Sequence, residues 1–147
     1  MGNLALSPAD CCCCPSGCFA DGADPASKHF AVTLAGIVNN DCVFCDAYNA
    51  TYSPLTYGSL CLWVCERFGV LTCFRDPTVY LRLECADGQM AITVDLYDDN
   101  IPYYSWSKSV VADLVTPTYL DGLSLPLVSP DGGDCVAAGS TCTIHLL

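Results

Sequence analysis

The sequence predicts an all-β domain, an antiparallel β-sandwich of about seven strands with a small β-barrel as the alternative, behind an irregular cysteine-rich N-terminal arm. Three observations point there. Apolar and polar residues alternate with period two in several short stretches. Loops rich in Pro, Gly and Asp separate these stretches. No segment carries the period of about 3.6 residues that a helix needs, so under about a tenth of the chain is expected to be helical. At 147 residues one domain is expected, large enough to bury roughly two-thirds of its surface.

Residues 1–29 hold Cys11, Cys12, Cys13, Cys14 and Cys18 among Pro8, Pro15, Pro25 and the turn-rich Asp21-Gly22-Ala23-Asp24, so they read as the arm. The sandwich is expected over 30–147. Phe30, Val32 and Leu34 alternate with Ala31, Thr33 and Ala35, the pattern of a half-buried strand. Residues 49–55 and 59–65 follow as strands, with Trp63 sharing a face with Cys61 and Cys65 and therefore assigned to the core. Residues 78–85 and 91–98 form the clearest pair, a hairpin turning at Asp87-Gly88. It directs Val79, Leu81, Leu83 and Cys85 inward beside Ile92, Val94 and Leu96, and leaves Arg82, Glu84, Thr93 and Asp95 toward solvent. Residues 103–111 and 140–147 complete the set, the latter after the loop Ser129-Pro130-Asp131-Gly132-Gly133-Asp134. Ile144 and Leu146 share a face of the last strand, so its loss is expected to damage the core. There is no internal repeat.

The net charge of −11, with five Lys plus Arg, argues against nucleic acid and against anionic membranes, both of which require cationic side chains. Proteins or neutral glycans are the expected partners. No run approaches the length of a membrane span, and residues 1–7 show neither a basic segment nor an apolar one of export-signal length. Gly2 suggests myristoylation, but Leu6 stands where that motif needs Ser or Thr.

Thirteen cysteines put the chain in the compositional range of disulfide scaffolds and metal proteins. The number is odd, which leaves one thiol free or for a second chain if all others pair within this one. Adjacent cysteines are poorly placed to bond to each other, because neighbouring Cα atoms sit about 3.8 Å apart, closer than the ~4.4–6.8 Å of an ordinary disulfide. The run at 11–14, with Cys18, therefore reads as an attachment arm: Cys11, Cys12, Cys13, Cys14 and Cys18 are the candidates for bonds to another chain. The alternative is that they staple their own domain. Cys42 and Cys45, then Cys61 and Cys65, approximate the spacing of a structural zinc site. An extended strand holds the second pair about 13 Å apart, too far for one metal, so disulfides are expected instead. Cys73, Cys85, Cys135 and Cys142 read as sandwich cross-links, with Cys85 and Cys142 facing inward. Cysteine content of this grade without a visible export signal fits either a signal removed before residue 1 or release by lysis, as virion components are released.

His29 and His145 are the only imidazoles and neither adjoins a nucleophile, so no enzyme is expected and both are read as surface or packing residues. Asp95, Asp98, Asp99 and Asn100 offer oxygen ligands for calcium but are read as a solvated loop, and no cofactor is expected. Trp106, Tyr103 and Tyr104 are the candidate surface for stacking on glycans, and Asn49-Ala50-Thr51 matches the glycosylation sequon.

The stretch from Phe30 through Cys42-x-x-Cys45 and Asn49-Ala50-Thr51-Tyr52 to Cys61-x-Trp63 resembles small cysteine-rich β domains of uncharacterised tailed-phage virion and environmental bacterial proteins. The resemblance implies a structural or adhesive module. The expected function is a structural virion protein, a tail, fibre-attachment or head-decoration subunit, cross-linked by disulfides to other structural subunits in a homo- or hetero-oligomeric assembly. The alternatives are an extracellular or cell-surface glycan-binding module and a zinc-stabilised structural domain.

Overall fold

The computed structural model describes residues 18–36, 49–66, 77–86, 88–98, 101–128 and 140–147. Among them eight antiparallel strands form one sheet: β1 Phe30–Ala35, β2 Thr51–Ser59, β3 Leu62–Glu66, β4 Pro77–Ala86, β5 Gln89–Asp98, β6 Ile101–Val111, β7 Ser124–Leu125 and β8 Thr141–Leu146. Their order is β6-β5-β4-β3-β2-β1-β8-β7. Beyond β7 the chain turns onto β6, where Trp106 bridges Leu127. The Ser107 N–H donates to the Pro126 carbonyl at 3.1 Å and the Val128 N–H to the Ser105 carbonyl at 2.8 Å. The sheet is thus nearly closed into a barrel, which leaves few strand edges open to foreign pairing. The all-β class expected from alternation is observed, with its strands in one curled sheet.

The β4–β5 hairpin keeps an unbroken register from Pro77↔Asp98 to Ala86↔Gln89, and Gly88 takes the turn at φ 78°, where a side chain would be strained. One face of the pair, Val79, Leu81, Leu83, Met90, Ile92, Val94 and Leu96, is buried. The opposite face is less exposed than alternation suggests. Thr93 and Asp95 are 7% and 5% exposed, because longer outward side chains and neighbouring hydroxyls cover them in mid-sheet.

Residues 59–65 are not one strand. Ser59 pairs with Leu62, leaving Leu60 and Cys61 as a two-residue turn with φ 54° and 59°. Trp63 is fully buried, as expected, with Phe19, Phe30 and Tyr57 ring centroids at 5.6, 5.3 and 5.0 Å. Its indole N–H donates to the Lys28 carbonyl at 3.0 Å, so burial leaves no donor unsatisfied.

Residues 18–29, assigned to the arm by composition, join the body. Cys18 and Phe19 are buried in the core, and the Ala20 N–H donates to the Val115 carbonyl at 2.8 Å. Phe19 packs on Trp63 with ring centroids 5.6 Å apart, and Cys18 is disulfide-bonded to Cys61, so both belong to the same buried cluster as β1 and β3. Among the described residues helix is confined to one turn, α1 Pro117–Leu120, and two 3-10 turns. Thr116 caps α1 by accepting from the Tyr119 N–H at 3.0 Å. Among the described residues no helix is long and apolar enough to cross a membrane.

Candidate functional site

Among the described residues two places gather chemistry: the tip of the β2–β3 hairpin and the outer face of β3 to β6. At the tip, Cys61 is bonded to Cys18 with a Cα separation of 5.5 Å, inside the usual disulfide span. The Cys61 N–H donates to the Tyr57 hydroxyl at 3.2 Å and its carbonyl accepts from the Leu83 N–H at 3.1 Å. These bonds hold a left-handed turn that lacks the usual Asn or Gly. Leu60, beside it, is 91% exposed.

This pairing alters two expectations. Cys18 bonds within the chain, whereas it stood among the candidates for interchain bonds; the packing of Phe19 brings it against the hairpin tip. Cys61 has its sulfur in a disulfide and is therefore not available as a zinc thiolate, which removes it from the set with Cys42, Cys45 and Cys65. Cys65 lies half-buried on β3 opposite Val79. Cys85 is disulfide-bonded. Cys142 faces inward as expected but is a free thiol. Its cross-strand neighbours are Leu34 and Leu125, and burial pushes its pKa far above the ordinary thiol range. Cys11, Cys12, Cys13, Cys14, Cys42, Cys45, Cys73 and Cys135 lie outside the described residues.

On the outer face, register sets Tyr80 opposite Asp95 and Arg82 opposite Thr93, so Arg82 and Asp95 are diagonal neighbours. The Arg82 Nη2 lies 2.7 Å from Asp95 Oδ2. That contact is ionic and off the hydrogen-bonding direction, whereas Asp95 Oδ1 accepts from the Ser105 hydroxyl at 2.7 Å. Arg82 Nη1 lies 3.5 Å from Glu84 Oε2. Tyr80 and Tyr97 meet edge to face with centroids 5.1 Å apart. Leu62, Tyr80, Arg82 and Tyr97 line a shallow open depression of about 260 Å³. Asp95 is thus occupied by Arg82 and Ser105 and is not a free calcium ligand; Asp99, Asn100 and the Asp98 side chain lie outside the described residues.

The aromatic residues assigned to the surface are elsewhere. Tyr104 and Trp106 are 3% and 0% exposed, and the Trp106 indole N–H donates to the Ser140 hydroxyl at 3.3 Å. The Tyr103 side chain lies outside the described residues. The missed signal was present in the sequence: Ser105, Ser107 and Ser109 alternate with Tyr104, Trp106 and Val110, which assigns the aromatics to the inner face. His145 is half-buried, its Nε2 3.3 Å from the Thr33 hydroxyl, and His29 gives its carbonyl to the Leu147 N–H at 2.9 Å. Among the described residues no group of His, Cys, Asp and Glu is placed to hold a metal ion. No family model, curated protein or solved structure matches this chain.

Proposed function

We propose that this protein is a non-enzymatic structural subunit of an extracellular particle, a virion component of the tail, fibre-attachment or head-decoration kind, whose cysteine run bonds covalently to neighbouring subunits. The supporting observation is the root of that run. Cys18, four positions after Cys14, is buried and bonded to Cys61 in the hairpin tip. A cross-link made at Cys11, Cys12, Cys13 or Cys14 would therefore pass load into the sheet through covalent bonds, without relying on the packing of a Pro- and Gly-punctuated segment. Such linkage gives a particle resistance to dissociation outside the cell, where disulfides persist. The glycan-binding alternative, as first based on Trp106 and Tyr104, loses both residues to the core.

The test is to replace Cys11, Cys12, Cys13 and Cys14 by serine while keeping Cys18, then compare native assemblies on non-reducing electrophoresis after alkylation of free thiols. The unaltered protein is expected in bands above monomer mass that reductant collapses, and the variant is expected at monomer mass with its fold intact. A monomer band from the unaltered assembly, with the four cysteines paired internally on peptide mapping, would reverse the proposal.

A further inference from the structure

We infer that the outer face of β3 to β5 is a binding site for a neutral oligosaccharide, with Tyr80 and Tyr97 as its apolar floor and Arg82 and Glu84 as its hydrogen-bonding rim. This goes beyond a structural role, because it gives the subunit a ligand. The depression is lined by Leu62, Tyr80, Arg82 and Tyr97, which supplies two rings for the C–H faces of a sugar and a guanidinium for its hydroxyls. The groups are also fixed in advance. Tyr80 and Tyr97 hold each other edge to face at 5.1 Å. Arg82 is clamped by Asp95 at 2.7 Å and approached by Glu84 at 3.5 Å. Less side-chain freedom is then lost when a ligand binds.

Charge selects the ligand class. Arg82 lies in the lining itself and occupies both neighbouring carboxylates, Asp95 at 2.7 Å and Glu84 at 3.5 Å, so a cationic group entering the depression would have to displace it. Glu84, Asp95 and a net charge of −11 repel an anionic one. A purely apolar ligand would cover the half-exposed Arg82 and strip its water without supplying an acceptor, all the more because Arg82 Nε is already buried without a hydrogen-bond partner. A polyhydroxylated neutral ligand avoids all three costs: its hydroxyls accept from Arg82 and donate to Glu84, and its ring faces cover the tyrosines. The shallow, open form suits a few residues of a chain rather than an enclosed monosaccharide.

The experiment is isothermal titration and amide chemical-shift mapping of the full chain against hexamers of glucose with α-1,4 and β-1,4 linkages and of N-acetylglucosamine, with oligogalacturonate and chitosan oligomers as the anionic and cationic arms. At least one neutral hexamer is expected to saturate with a Kd of about 1 mM or tighter, shifting the amides of Tyr80, Arg82 and Tyr97. Tyr97→Ala is expected to weaken it about tenfold and Tyr97→Phe far less, since the ring face is retained. Should Tyr97→Ala fail to fold, the shift map of the unaltered protein decides. Three results would overturn the inference: no saturation by any neutral hexamer at about 10 mM, binding confined to a charged arm, or shifts and affinity that ignore this face and Tyr97.

Discussion

Cys142 shows how one residue's surroundings decide its chemistry. On β8 it sits between Leu34 of β1 and Leu125 of β7, all three buried, so a thiolate there has no charge partner and the pKa is pushed well above the ordinary thiol range. The unfolded chain gives up this proton near pH 8.5–9 and the folded chain does not, so the unfolded state gains as pH rises through the thiol range. The contribution of Cys142 is constant below about pH 8 and then falls, by up to about 1.4 kcal/mol per pH unit above about pH 9. Denaturant titrations of the protein and of Cys142→Ala between about pH 7 and 10 are expected to show a loss of stability with pH that is shallower in the variant. Parallel curves would mean that Cys142 ionises in the native state. That this residue faces inward was legible from the alternation of the last strand. That it is a free thiol was not, because pairing depends on which sulfur the fold brings near.

At the scale of elements, the strands with strict alternation were legible and the irregular ones were not. β1, β4, β5 and β8 begin and end within a residue or two of the positions that alternation marks, since a half-buried strand imposes that pattern directly. The Arg82 and Asp95 pair was within reach too, because a hairpin turning at Asp87-Gly88 fixes the register that makes them diagonal neighbours. The β2–β3 turn was hidden. Leu60 and Cys61 carry no turn chemistry of their own and take left-handed backbone because Tyr57, Leu83 and Cys18 hold them there. β7 was hidden because Ser124–Leu125 is too short to alternate. The Cys18–Cys61 bond, spanning 43 residues, is expected to stabilise the domain by about 2–4 kcal/mol through restriction of the unfolded chain. Cys18→Ser and Cys61→Ser should each lower Tm by roughly 5–15 °C. The double variant should cost little more than either single one, since both remove the same bond. Additive losses would mean that each sulfur stabilises the fold by its own packing.

For the whole molecule, closure decides how much strand edge is left uncovered. Ten-residue β4 and β5 are paired along their full length, and β1 is paired on both sides by β2 and β8. The seam between β6 and the chain after β7 is much thinner. Among the described residues it holds the Trp106↔Leu127 bridge, the two flanking hydrogen bonds from Ser107 and Val128, and the Trp106 indole bond to Ser140. Opening there would turn the barrel into a sheet with two free edges, one of them the eleven-residue β6 and so long enough to recruit a second chain. Such local opening is expected to have a lower free energy than global unfolding, so the Ser107 and Val128 amides should exchange with solvent faster than those of β4 and β5. Val128→Pro removes the donor that meets the Ser105 carbonyl at 2.8 Å, and Val128 is itself 43% exposed, so the change acts on the seam and leaves the core packing in place. It is expected to cost about 1–2 kcal/mol and, because β6 is then uncovered, to bring concentration-dependent association visible by sedimentation. If the variant stays monomeric with unchanged exchange at Ser107, the seam does not guard the edge. Protection would then have to come from the outward hydroxyls of β6 and from the repulsion between chains that each carry a net charge of −11.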